Sequence, residues 1–287
     1  MHIERGGGMV ECHIHMVLDG IWWKDAIGRH SQAVQKDFCR KALETYQGLG
    51  FTYLRDGGDR WGVGAYARSI AGKYGITYRT PLAPLSKQGH YGGFIGKQYA
   101  DLKEYRRLVT ENREQGADFI KIMISGLMDF DQFGVLTQPG LPGDEIKELI
   151  HIAHEEGMAV MAHANGARTV EAAAAAGVDS VEHGAYLDRA ALQTMADMGT
   201  VWVPTLSTVG NLLGKGRFDE TQVRKILDSA LENVAEFSAL GGLLAPGTDG
   251  GAWAVPHGSV TEYQWLAQIG IQKADLEAGI REIIRKF

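Results

Sequence analysis

Short apolar runs alternate with longer amphipathic stretches along the whole chain. The short runs read as strands, because they are brief, rich in β-branched and aromatic residues, and bounded by turn formers. The first covers residues 10–16 (VECHIHM), and a long loop carrying Trp22 and Trp23 follows it. A helical pattern then fills residues 31–47. Further strands are expected over 51–56, 76–85, 118–124, 158–163, 180–183, 200–205 and 243–249. Helical patterns separate them: one ends near Tyr74, and others cover 101–115, 144–156, 167–176, 188–198 and 219–240. Strands that each lead into a helix predict an α/β protein, a closed (β/α)8 TIM barrel. The same alternation permits an open, doubly wound sheet.

Size and composition narrow this picture. The chain has 287 residues and shows no linker or low-complexity stretch, so residues 1–287 are expected to form one domain. A net charge of −6 speaks against a nucleic-acid surface, which needs a basic patch. No apolar run is long enough for a transmembrane helix, and the N-terminal residues lack the pattern of a signal peptide. The two cysteines, Cys12 and Cys39, cannot build a disulfide framework, so a cytoplasmic setting is expected.

The candidate chemistry gathers at strand ends. His13 and His15 stand two apart on the first strand, so strict alternation turns both toward the barrel axis, where two imidazoles can hold one metal ion. Such a pair arises by chance about one time in three at this histidine content and needs its context. Alternation also puts Glu11 on the face of His13 and turns Cys12 away from the interior, into packing. Lys121 lies inside Phe119-Ile120-Lys121-Ile122-Met123-Ile124, and a lysine in a buried strand is costly unless paired or neutralised. Burial lowers its pKa, and the freed amine can take up carbon dioxide as a carbamate that bridges two cations. The plainer reading is a lysine that reaches solvent from the strand end. His163 and His183 end the fifth and sixth strands on neighbouring positions, and Asp249 ends the eighth, beside the first. Taken alone, Asp249 before two glycines reads as a turn residue.

Together these residues resemble the amidohydrolase superfamily, in its imidazolonepropionase-like and prolidase-like branch. The matching positions are His13 and His15, Lys121 in ADFIKIMISG, His163 in MAHA, His183 in VEHG and Asp249 in PGTDGG, with Pro256-His257-Gly258 beyond. The resemblance spans residues 10–280. It implies two divalent metal ions, for which histidine, carboxylate and carbamate donors suit zinc, with manganese, iron or cobalt as other possibilities. His13, His15 and Asp249 would hold the more buried ion, His163 and His183 the more exposed one, and carboxylated Lys121 would bridge them. A metal-activated water would attack the carbonyl, and Asp249, the catalytic residue, would carry its proton to the leaving amine. The implied reaction is hydrolysis of a small-molecule amide: a dipeptide, an N-acyl amino acid or a cyclic amide. A mononuclear deaminase, an ester or lactone hydrolase and a non-catalytic binding barrel are the rival readings. Relatives carry Asp where this chain has Glu11, which keeps a supporting role. They also add a β-sandwich from residues flanking the barrel; this chain is expected to be the barrel without it, and a homo-oligomer is expected.

Weaker candidates remain. His90 and Tyr91 lie in a glycine-rich loop above the third strand and can contact substrate. Arg55 and Asp56 end the second strand, where Arg55 can orient ligands or form an internal salt bridge. Trp22, Trp23, Phe130, Phe133 and Trp253 fall in loops and can line an apolar pocket. His151 and His154 read as a solvated helix face.

Overall fold

The computed structural model describes residues 8–287. β1 (Met9–Ile14) leads into α1 (Trp23–Gln32) and α2 (Lys36–Gly48). Next come β2 (Phe51–Asp56), α3 (Val63–Ala71), β3 (Thr77–Arg79), β4 (Leu85–Lys87), β5 (Lys97–Tyr99) and α4 (Leu102–Glu114). β6 (Ile120–Met123), α5 (Gly143–Glu155), β7 (Val160–Ala164), α6 (Ala167–Ala175), β8 (Ser180–His183), α7 (Arg189–Asp197) and β9 (Val201–Val203) keep a tight strand–helix rhythm. The chain ends with α8 (Ser207–Gly210), α9 (Glu220–Ala239), β10 (Leu243–Leu244), α10 (Thr261–Gln268) and α11 (Lys273–Lys286). No helix among the described residues is long and apolar enough to cross a membrane.

All ladder pairs are parallel, in two runs ordered β1-β2-β3 and β10-β9-β8-β7-β6-β4-β5. The two runs meet at both ends. Cys12 N donates to Pro246 O at 2.8 Å and Asp249 N donates to His13 O at 2.8 Å, which joins the chain after β10 to β1. On the other side, Asp118 N donates to Thr80 O at 3.0 Å, between β3 and β6. A first strand bonded to the last is a barrel, and the open sheet is set aside.

Side-chain direction explains why the strands read as continuous apolar runs. Ile120, Ile122, Val160, Ala162, Val181 and Trp202 face outward and pack on the helix layer. Tyr53, Phe119, Met161, Val201, Val203 and Ala245 face the axis and fill the barrel floor. Ile283 and Phe287, from α11 and the residue after it, close that floor from below, with Phe287 edge-on to Phe119 at 5.1 Å.

Three expectations need correction. The loop after β1 holds a helix, α1, and the helix expected over 31–47 starts later; only Ala26 and His30 of α1 are buried, so it shows little periodicity. The expected third strand is two pieces, because Pro81 and Pro84 lack the N–H a ladder needs. β3 pairs with β2, and β4 pairs with β6. Finally, β1 bulges. It runs from Glu11 to Ile14 while β2 runs only from Leu54 to Asp56, one residue fewer. The extra residue reverses the alternation below His13. Cys12 therefore lies in the barrel floor with Phe119 and Met161. Glu11 instead pairs with Leu54 of the outer layer.

Candidate active site

The candidate residues rise from the floor toward the C-terminal ends of the strands. His13 Nε2 and His15 Nε2 are 3.4 Å apart, and each is 3.5 Å from Asp249 Oδ1. A cation about 2.1 Å from each donor of a tetrahedral set holds those donors about 3.4 Å apart, so this triangle has the size of a metal site. Local backbone makes it. The β1 bulge turns His13 inward, and the bond from Asp249 N to His13 O fixes the carboxylate beside it. Gly247 allows the approach, since a Cβ there would collide with Val203 and His13. His183, Thr205 and Asp249 all adopt left-handed backbone, with φ of 70°, 49° and 61°. Such positions cost about 1–3 kcal/mol each for side-chain-bearing residues and concentrate at functional sites.

Neighbours fix each imidazole. Glu182 Oε2 lies 2.7 Å from His13 Nδ1; a carboxylate accepts, so the proton sits on Nδ1 and Nε2 keeps its lone pair. Glu182 Oε1 accepts from Arg55 Nη2 at 2.8 Å and Ser180 Oγ at 2.6 Å. Arg55 Nε donates to Cys12 O at 2.7 Å, and its guanidinium lies 4.4 Å from the Phe287 ring centroid. Phe287, Arg55, Glu182 and His13 thus form one buried column from floor to site. On the other side, Gly126 O lies 3.1 Å from His163 Nε2, which must be the protonated nitrogen, leaving Nδ1 free. His183 Nδ1 meets Thr205 Oγ1 at 2.7 Å, leaving Nε2 free. Ring centroids run from His15 to His13 at 5.3 Å, to His183 at 5.1 Å and to His163 at 4.6 Å.

Burial sets the charges. It pushes His15 and His163 down to about 3, aided by the Lys121 charge, and His13 and His183 well below the usual imidazole range. All four are neutral at pH 7, with lone pairs available. Burial lowers the Lys121 amine and raises the Asp249 carboxyl, while the attraction between the two works against both shifts. Lys121 is 1% exposed, and its Nζ has no hydrogen-bond partner among the described residues. Asp249 Oδ1 and His15 Nδ1 are likewise unpartnered. An orphaned buried polar atom costs about 1–3 kcal/mol. Two of these, Lys121 Nζ and Asp249 Oδ1, lie at one site with a tetrahedral-sized triangle and fit a cation-binding centre, whereas a cation on His15 Nε2 would leave Nδ1 unpartnered.

The centre opens into a cavity of about 520 Å³ lined by His15, Lys121, His163, His183 and Asp249. Of the loop residues singled out in the sequence, Tyr91, Trp22, Trp23, Phe130 and Trp253 line it. The Tyr91 ring lies 4.8 Å from that of His163, tilted by 37°. His90 lies outside the lining, and Phe133 packs on Tyr186 with 45% exposure. Glu11 bonds Thr248 N at 2.9 Å, Thr248 Oγ1 at 2.8 Å and His13 N at 3.0 Å, so it ties β1 to the chain after β10 and meets the backbone of His13, not its ring. His151 is exposed beside Glu155, whereas His154 bonds Asp179 at 2.8 Å. Sequence reasoning missed Glu182. Its signal was present: it shares the inward parity of Ser180, opposite the inward Arg55.

An ochratoxinase from Aspergillus niger is 26% identical over 84% of this chain, which spans 57% of that relative's length. An uncharacterised Mycobacterium tuberculosis protein is 27% identical over 92% of this chain and 69% of its own length. Among solved structures, a Xaa-Pro dipeptidase with methionine bound in its active site superposes with a TM-score of 0.74 at 21% identity, covering 97% of this chain and 75% of the other. The A. niger ochratoxinase structure gives 0.74 at 23% identity, covering 94% and 68%. Likenesses this distant establish the barrel fold. The model of the amidohydrolase family matches residues 8–259, and the chain belongs to that family.

Proposed function

We propose that this chain hydrolyses the amide bond of a small molecule at a centre of two divalent cations. One observation carries the reading. Three donors stand at tetrahedral spacing beside two further lone-pair imidazoles and an orphaned, fully buried lysine. His13, His15 and Asp249 would hold one cation, and His163 and His183 the other. Lys121 would join them as a carbamate: its neutral Nζ adds to the carbon of CO2 and releases a proton, which turns a cation into an anionic oxygen donor. Cations held there acidify water and polarise a carbonyl.

The protein's own groups do the rest. Asp249 lines the cavity and would take the proton of the attacking water, since burial makes its carboxylate a stronger base than a surface aspartate. It would then return that proton to the amide nitrogen as the C–N bond breaks. Glu182 keeps His13 in the tautomer that presents Nε2. The apolar walls limit water near the centre. The dipeptidase among the structural relatives supports an amide substrate.

Assay of the purified, metal-loaded chain against paired amides and esters tests the reading. Turnover of amides that is abolished by chelation and restored by zinc is expected. Turnover of esters or lactones alone would overturn it. The triangle by itself also favours a single-cation centre, as in a deaminase. Lys121→Ala separates the two, since a one-cation centre keeps its full metal content and rate.

A further inference from the structure

The outer wall of the cavity carries a cation that the proposed chemistry does not use. Arg217 follows α8, in the loop before α9, and lines the cavity. Its guanidinium sits 4.5 Å from the Trp253 ring centroid, 5.1 Å from Phe218 and 5.4 Å from Trp22. It is exposed to solvent, and among the described residues it takes part in no ion pair and no hydrogen bond. A guanidinium that stacks on rings keeps its in-plane N–H groups free, and those groups match the two oxygens of a carboxylate.

The wall around it is built rather than incidental. Phe130 packs on Phe218 at 5.1 Å, and Phe218 on Trp253 at 6.1 Å, so the loops after β6, β9 and β10 share one aromatic face. Hydrogen bonds fasten the loop after β6 to the N-terminal end of α9. Asp219 N donates to Asp131 Oδ1 at 2.8 Å, and Phe133 N to Gln222 Oε1 at 3.0 Å. A second aromatic run, Trp23 on Phe94 at 5.0 Å and Phe94 on Tyr91 at 5.6 Å, leads down to His163. Above the candidate cation centre, the only other charged side chain in the lining is Asp129, whose Oδ1 already accepts from Asp131 N at 2.9 Å.

We infer that Arg217 is an anion subsite and that the cavity takes amides bearing both a flat aromatic group and a free carboxylate. The aromatic group lies against the Trp253–Phe218 face, and the carboxylate meets the edge of Arg217. This narrows the proposed function, on which it rests, to substrates such as N-acyl aromatic amino acids. Arg217 governs which amide enters and takes no part in bond breaking.

Binding of N-acetylphenylalanine and of its neutral carboxamide tests the inference, followed by the fluorescence of the cavity tryptophans Trp22, Trp23 and Trp253. The metal-loaded chain should bind the acid about tenfold more tightly than the carboxamide, as one added charge-assisted pair gives. Arg217→Gln should remove that preference and leave carboxamide affinity within about twofold, while Arg217→Lys should keep part of it. The inference is overturned if Arg217→Gln preserves the preference, if it weakens both ligands equally, or if the wild type binds neither. Hydrolysis is read separately. A carboxylate preference that depends on Arg217, with no cleavage of either compound at full metal content, would remove the amidase reading and leave the subsite standing.

Discussion

The two halves of the centre are held in different ways. His13, His15 and Asp249 are placed by backbone: a bulge in β1, a glycine at 247 and a bond from Asp249 N to His13 O. Their donors already stand 3.4–3.5 Å apart. His163 and His183 come from adjacent strands with rings 4.6 Å apart, and the group that would complete their set is an amine. A protonated Lys121 offers no lone pair to a metal. On the proposed reading, one half is complete as folded, whereas the other would depend on a reaction of Lys121 with CO2.

The largest expected effect falls on the fixed half. Asp249→Asn replaces an anionic oxygen donor by a neutral one and removes the proton acceptor, so kcat/KM should fall at least about 10³-fold while the fold persists. Steady-state kinetics with circular dichroism check this; a loss under tenfold would mean that Asp249 is peripheral.

Next comes the column beneath His13. Glu182→Gln leaves Arg55 and the His13 tautomer without their carboxylate. Removing one partner of a buried pair costs about 3–5 kcal/mol of stability, and loss of such support to a ligand costs about 10–100-fold in metal affinity. Denaturant unfolding and chelator competition would measure both. Weakening confined to the second equivalent of metal would contradict the column's assignment to His13.

The conditional half should be more sensitive to acid. Carbamate formation uses the neutral amine and releases a proton, and burial lowers the Lys121 pKa, so the modified form gains as pH rises. Asp249 is raised to about 7, below the value of about 8 for Lys121, so acid reaches the first site later, when the Asp249 proton competes with metal below neutrality. Metal titrations at falling pH should lose the second equivalent before the first. Simultaneous loss of both would deny that the halves differ. The smallest effect belongs to the floor: Cys12→Ala should cost about 1 kcal/mol in stability and leave metal content unchanged.

Much of this was legible in the sequence, for a physical reason. Strands buried on both faces read as apolar runs, and a polar residue inside such a run, like Lys121, stands out against its cost. The alternation of strands and helices followed from those runs, whereas the six candidate donors became one set only through the family resemblance. What escaped was geometry that adds no residue-type signal. The bulge at Cys12 and His13 reverses the facing of Cys12 and Glu11 without altering the pattern of apolar letters. Glu182 stood next to His183 and was overshadowed by it, because its value lies in contacts with Arg55 and His13 across the barrel. α1 buries too few residues to show a period. An internal salt bridge was among the readings of Arg55, but nothing in the residue types named its partners, Glu182 and the Phe287 ring.

The central claim is a centre of two cations, one of them dependent on Lys121. The direct test is the metal content of the protein, measured by mass spectrometry after loading with zinc in bicarbonate buffer, for the wild type, His163→Ala and Lys121→Ala. The account predicts about two divalent ions per chain in the wild type and about one in each variant. Fewer than about one ion in the wild type, or a content unchanged by both substitutions, would contradict it.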